Sequence, residues 1–162
     1  EGDSEMQYLK AFTMDYTFIP SILPYGHRLL VGAFMSHLKE VDMETFAYRD
    51  ADVDDEAWKG SIRRSVFIPT DMIIDDEGDI WIGTVANGLL RYDPETGDIN
   101  PVPGAPCTDI SAIEEDLQGN LWVSTLYGLG KYDRSVDKFI NWFEADGIGG
   151  NEFYDRASCR MA

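Results

Sequence analysis

This sequence predicts an all-β fold, and three observations predict it: a segment that returns after 41 positions, turn chemistry at matching places in each copy, and glycines and prolines scattered along the chain. The 15 glycines and 7 prolines form no single low-complexity tract, which favours many short strands joined by turns. A fixed period of this size marks a repeat architecture, because each repeat is one supersecondary unit that buries its apolar face only against its neighbours.

The repeat is plainest in its second strand. Ile80-Trp81-Ile82-Gly83-Thr84, followed by Asn87-Gly88-Leu89 and Arg91-Tyr92-Asp93, returns as Leu121-Trp122-Val123-Ser124-Thr125, Gly128-Leu129 and Lys131-Tyr132-Asp133. A weaker copy, Leu29-Leu30-Val31-Gly32-Ala33, leads into Leu38 and Val41-Asp42; Leu30 precedes Trp81 by 51 positions, and the extra length falls between Asp42 and Phe67. Ahead of each tryptophan strand comes an apolar strand and a turn: Met72 to Ile74 and then Asp75 to Asp79 in one copy, Ile110 to Asn120 in the next. Asp followed by Gly is hairpin chemistry, with glycine supplying a positive φ. After it come a short turn at Asn87-Gly88 or Tyr127-Gly128, a third strand ending in Tyr-Asp, and a turn such as Asp93-Pro94-Glu95-Thr96-Gly97. A fourth strand follows at Asp98 to Pro101 or Lys138 to Phe143.

Four antiparallel strands in about 40 residues make one blade of a β-propeller. The blades are expected near 18–50, 67–102 and 109–143, with 151–162 starting the next. Propellers hold about 4 to 8 blades, so three are a fragment, and its open ends are expected to self-associate through residues 8–34 or 139–160. Trp81 and Trp122, placed between blades by the repeat, are both expected to be largely buried.

Charge narrows the function. Thirteen basic against thirty acidic residues give a net charge of −17, which repels a polyanion and argues against nucleic acid as a partner. No apolar run approaches the roughly 18 residues of a membrane span, and Glu1 to Lys10 is too acidic for a signal peptide, so any membrane segment is expected outside this chain. Cys107 and Cys159 have no CxxC spacing, and the repeat does not bring them opposite each other; neither zinc nor a disulfide is expected.

The pattern Asp-x-x-Gly-(Asp/Asn)-(Ile/Leu)-Trp-(Ile/Val)-x-Thr, then Gly-Leu and Tyr-Asp, resembles the two-component regulator propeller repeat of hybrid sensor histidine kinases of Bacteroidetes type. Residues 70–93 and 109–133 carry it closely, and 19–42 in the apolar positions alone; Asp146 to Phe153 resembles the junction into that family's last blade. The resemblance implies a periplasmic sensor region answering to oligosaccharides. It further implies an immunoglobulin-like domain, a membrane helix and kinase modules elsewhere in the parent.

Most of the chemistry-bearing residues read as parts of the repeat. Thr84, Thr125, Asp93 and Asp133 are expected to bond the backbone of their turns. Asp75-Asp76-Glu77-Asp79 and Glu114-Glu115-Asp116 read as solvated turns, with calcium or a carboxylate acid-base pair as alternatives, since neither has EF-hand spacing. His27 and His37 bracket a strand that holds them about 20 Å apart, too far to share a metal. No nucleophile-histidine-acid grouping is visible, and no cofactor is expected.

The departure from the repeat is more informative. The connection after Asp42 carries about eleven more residues than the one after Asp93, among them Trp58, Arg63 and Arg64. In a propeller this connection shares a face with the turns between second and third strands, where Phe34, His37, Asn87 and Tyr127 fall. Loops on a rigid scaffold are free to vary and commonly bind ligands. A tryptophan flanked by charges there suits a sugar ring and its hydroxyls; the plainer reading is an acidic solvated loop. These seven residues are the candidate ligand site. The rival functions are a propeller lyase or lactonase, whose site would need residues outside this chain, and a protein-interaction scaffold with a basic partner.

Overall fold

The computed structural model describes residues 21–33, 38–51, 67–154 and 158. Twelve strands form three four-stranded antiparallel sheets, each a simple meander. The first holds β1 (Ser21–Tyr25), β2 (Arg28–Gly32), β3 (Leu38–Asp42) and β4 (Tyr48–Asp50). The second holds β5 (Pro69–Ile74), β6 (Ile80–Thr84), β7 (Leu89–Tyr92) and β8 (Ile99–Val102). The third holds β9 (Ile110–Glu115), β10 (Leu121–Thr125), β11 (Gly128–Asp133) and β12 (Lys138–Trp142). They are the blades of a propeller fragment, packed in chain order, with β5 against β1 and β9 against β5 and β6. No described helix is long and apolar enough to cross a membrane.

The alternation of β6 explains the stacking. Successive strand residues point to opposite faces, so Ile80 and Ile82 join Leu23, Leu30 and Leu38 of the first sheet, while Trp81 turns to Ile113, Leu121 and Val123 of the third. Each such aliphatic side chain, buried on both sides, contributes roughly 1.5–3 kcal/mol. Close approach needs a small residue two positions after Leu30 and Trp81. A Cβ on Gly32 would lie 2.3 Å from Pro69 Cγ, and one on Gly83 would lie 2.7 Å from Ile110 Cγ2. Glycine is therefore required there by the next sheet's first strand.

The two tryptophans differ in degree of burial. Trp81 is 2% exposed, but Trp122 is only half-buried. Its indole stacks on Trp142, with ring centroids 5.4 Å apart and planes 18° from parallel. The third sheet supplies the cover over Trp81; among the described residues no fourth sheet does the same for Trp122.

Candidate functional site

The turns between second and third strands and the sheet-to-sheet connections share one face and are tied together by their backbones. Val85 N–H donates to Ile68 O (2.9 Å), Gly88 N–H to Thr108 O (2.9 Å) and Leu126 N–H to Asp109 O (3.1 Å). Ala86 N–H donates to Asp109 Oδ1 at 3.0 Å, which holds Ala86 at φ 67°, a left-handed conformation that costs a non-glycine residue roughly 1–2 kcal/mol. Thr84 and Thr125 donate their hydroxyls to Gly88 O and Gly128 O, both at 2.8 Å, so each closes its turn as expected.

On this rigid frame Tyr127 stands 57% exposed, next to Leu126 at 51%. The Tyr127 ring lies 5.6 Å from that of Phe143, tilted by 47°. Asn87, at the corresponding turn of the second sheet, is half-buried. Phe34, His37, Trp58, Arg63 and Arg64 lie outside the described residues, and Asn87 and Tyr127 sit on separate turns of adjacent sheets.

The opposite face is built from hairpin turns, and here the expectation of solvated carboxylates needs correction. Asp75 and Glu115 are buried, with side chains 0% and 3% exposed. Asp75 Oδ1 accepts the amides of Glu77 (2.9 Å) and Asp79 (2.8 Å), and Oδ2 accepts the Trp81 indole N–H at 2.5 Å. Asp116 repeats this, accepting the amides of Gln118 and Asn120 and the Trp122 indole N–H at 2.8 Å. Burial alone would raise the Asp116 pKa, but the Trp122 indole and the Asn120 and Gln118 donors outweigh it and pull it down to about 2. The recurring aspartate is thus an internal acceptor for a tryptophan six residues later. Asp76 and Glu77 remain exposed, as the solvated reading held.

Arg134 joins two sheets at this cluster. It follows β11, and its guanidinium reaches Asp75 (2.8 Å) and Glu77 (3.1 Å) of the second sheet and Glu115 (3.3 Å) of its own. It also lies 5.6 Å from the Trp81 ring centroid, while Arg91, paired to Asp79 at 2.7 Å, lies 5.9 Å from the same ring. Glu115 additionally accepts the Asp76 amide at 2.9 Å. Chemically this is a cross-sheet clamp of one cation on two buried anions, with its polar atoms directed inward. The Asp-to-Trp spacing of six, repeated in both copies, was a signal for half of it. Arg134 had none, because Pro94 stands at its place in the second sheet.

The remaining candidates are simpler. His27 lies in the turn just before β2, with Nε2 3.7 Å from Asp42 Oδ2. Cys107 Sγ is 3.7 Å from Asp109 Oδ2; Cys159 lies outside the described residues. Among the described residues no three His, Cys, Asp or Glu side chains are grouped to hold a metal. A cleft of about 480 Å³ on the hairpin-turn side is lined by Asp79, Arg91, Asp93, Glu95 and Asn100 among others. Asp93 there accepts the Glu95 and Thr96 amides, its expected role.

No family model matches the chain, and no curated protein matches it. Solved structures do. A crystal structure described as the extracellular domain of the hybrid two component system BT3049 from B. thetaiotaomicron matches with a TM-score of 0.69 at 20% identity, over 87% of this chain and 19% of that one. The chain shares its fold. A second structure, described as the extracellular domain of the hybrid two component system BT4673 from the same organism, matches these sheets with a TM-score of 0.66 at 19% identity, over 92% of this chain and 19% of that one. The chain therefore spans about one fifth of the length of either structure. The computationally designed Ika4 protein has the same arrangement, with a TM-score of 0.64 at 12% identity over 93% of this chain and 85% of that one. A fold found in both sensor domains and a designed protein fixes no function by itself, so function has to be argued from the site.

Proposed function

We propose that the chain is part of the extracytoplasmic, ligand-sensing region of a two-component regulator, periplasmic in its parent protein, and that an oligosaccharide binds its loop face. The observation that carries this reading is the fold likeness, over 87% and 92% of the chain, to two structures described as extracellular domains of hybrid two component systems. The repeat motif supports it independently, since it resembles that of sensor kinases in residues 70–93 and 109–133. In this reading the region is not a catalyst, and the kinase chemistry lies outside the chain.

The loop face suits the role. The exposed Tyr127 ring beside Phe143 offers a flat apolar surface to the face of a pyranose. An asparagine amide, as at Asn87, both donates and accepts, which matches a hydroxyl. Phe34, His37, Trp58, Arg63 and Arg64 are candidates from the sequence for the same face. A ligand held there signals by favouring one of two arrangements of the region, to the extent that it binds one better than the other.

The test is a thermal-shift screen of the chain against a panel of oligosaccharides, repeated with Tyr127→Ala. A ligand at 100 times its Kd stabilises by about 2.7 kcal/mol, or roughly 5–11 °C for a chain of this size. One oligosaccharide class producing such a shift, lost in Tyr127→Ala, is the expected result. A panel without effect, or an effect indifferent to Tyr127, overturns the reading.

A further inference from the structure

A single residue reaches both turns of the loop face. Asp109 Oδ1 accepts the Ala86 amide at 3.0 Å, and its backbone carbonyl accepts the Leu126 amide at 3.1 Å. Thr108 O, one position earlier, accepts the Gly88 amide at 2.9 Å. Asn87 is therefore held on either side by bonds to the connection that leads into β9, and Tyr127 follows a residue bonded to the same connection. The second oxygen of Asp109 is engaged as well, with Cys107 Sγ 3.7 Å from Oδ2. A half-buried carboxylate occupied at both oxygens has little freedom to turn.

Comparison of the two junctions shows why a carboxylate stands here. Val85 N–H donates to Ile68 O at 2.9 Å, so Ile68 is the counterpart of Asp109, and its side chain offers no acceptor. The turns also differ in length: three residues separate Thr84 from Gly88, and two separate Thr125 from Gly128. The longer turn is accommodated with Ala86 at φ 67°, where the Cβ of an L-residue crowds the following carbonyl oxygen. The Asp109 bond falls on that residue. Without it the turn is free to relax to an ordinary conformation and carry Asn87 with it.

We propose that Asp109 is a positioning residue of the loop-face site: its carboxylate fixes the turn that carries Asn87, its carbonyl anchors the turn that carries Tyr127, and the two are thereby presented to one ligand as a preorganised pair. This rests on the reading of that face as the ligand site. Order established on folding is not charged again on binding, so the gain appears as affinity.

Asp109→Leu, which puts an apolar side chain where Ile68 stands in the preceding junction, tests this first on the free chain. Exchange of the Ala86 amide is expected to rise about tenfold as its acceptor is lost. The Asn87 amide resonance is expected to move, whereas those of Leu126 and Tyr127 stay, because the carbonyl of residue 109 remains. Asp109→Asn keeps an acceptor oxygen and is expected to behave as the unaltered chain does. The panel oligosaccharide that stabilises the unaltered chain is then expected to bind Asp109→Leu about five- to thirtyfold more weakly, the factor that matches the cost of a left-handed alanine. Adding Ala86→Gly, which adopts a positive φ without a Cβ penalty, is expected to recover most of that affinity; a residue that merely stabilised the fold would not be rescued in this way. Unchanged Ala86 exchange and Asn87 resonance in Asp109→Leu, equal binding by the unaltered chain and Asp109→Leu, or no rescue by either Asp109→Asn or Ala86→Gly overturns the proposal and leaves the reading of function standing. A panel without effect on the unaltered chain overturns that reading, and this role with it.

Discussion

Replacing Arg134 with methionine removes the clamp between the second and third sheets while keeping an unbranched apolar stem against Trp81. Asp75 retains its three other donors, the Trp81 indole and the amides of Glu77 and Asp79. Glu115, 3% exposed, loses its cation and keeps the Asp76 amide. Removing one partner of a buried pair costs about 3–5 kcal/mol because the remaining charge has neither water nor a counter-ion. The Arg134 side chain is 19% exposed and Asp75 remains well hydrogen-bonded, which places the expected loss near the lower end, about 3 kcal/mol. At 2–4 °C per kcal/mol this lowers Tm by roughly 6–12 °C. Urea unfolding followed by circular dichroism reads the loss directly. Adding Glu115→Gln removes the negative charge that faced Arg134 and is expected to restore about 1–2 kcal/mol. A loss below about 1 kcal/mol, the level of an exposed pair, or no recovery in the double variant, would refute the clamp.

Asp116 gives the acid response: its pKa is lowered from 3.8 to about 2, so its contribution is fully present above pH 3.8 and disappears as the pH falls through about 2. Acid titration of stability should show this step, and Trp122→Phe, which deletes a donor to Asp116, should shrink it. Gly32→Ala and Gly83→Ala should each cost about 1–3 kcal/mol in urea unfolding, more at Gly32 because the added methyl meets the rigid Pro69 ring; a cost below 0.5 kcal/mol at both would contradict the close sheet approach. Trp81→Phe leaves a cavity and takes one donor from buried Asp75, which keeps the Glu77 and Asp79 amides and Arg134, so it should cost about 2–4 kcal/mol and clearly more than Trp122→Phe at its half-open face; equal losses would contradict the asymmetry.

The architecture was legible because its determinants are local and repeated. Alternation around Trp81 and Trp122, Asp-Gly turns and a constant spacing each specify one element, and together they specify three four-stranded sheets. Thr84, Thr125, Asp93 and Asp133 were readable for the same reason, since their partners are a few residues away. What escaped was long-range and unrepeated. Arg134 meets Asp75 across 59 positions, and nothing in either segment names the other. Burial of Asp75 was misjudged because an acidic run looks solvated until the indole that it serves is placed above it. Trp122 is less buried than Trp81 because the third sheet covers Trp81, whereas no sheet among the described residues covers Trp122 in the same way. The candidate ligand site was the least legible part: only Asn87 and Tyr127 of its seven residues fall among the described ones, and exposure of Tyr127 follows from the loop it occupies, not from any motif.

The central claim is that an oligosaccharide binds the loop face, and residue-resolved NMR titration of the chain with the stabilising oligosaccharide tests it most directly. Saturable shifts are expected at the Asn87, Leu126 and Tyr127 amides, with the hairpin turns at Gly26 and Glu95 on the opposite face unmoved. Shifts confined to those opposite turns, or none at saturating oligosaccharide, would contradict it.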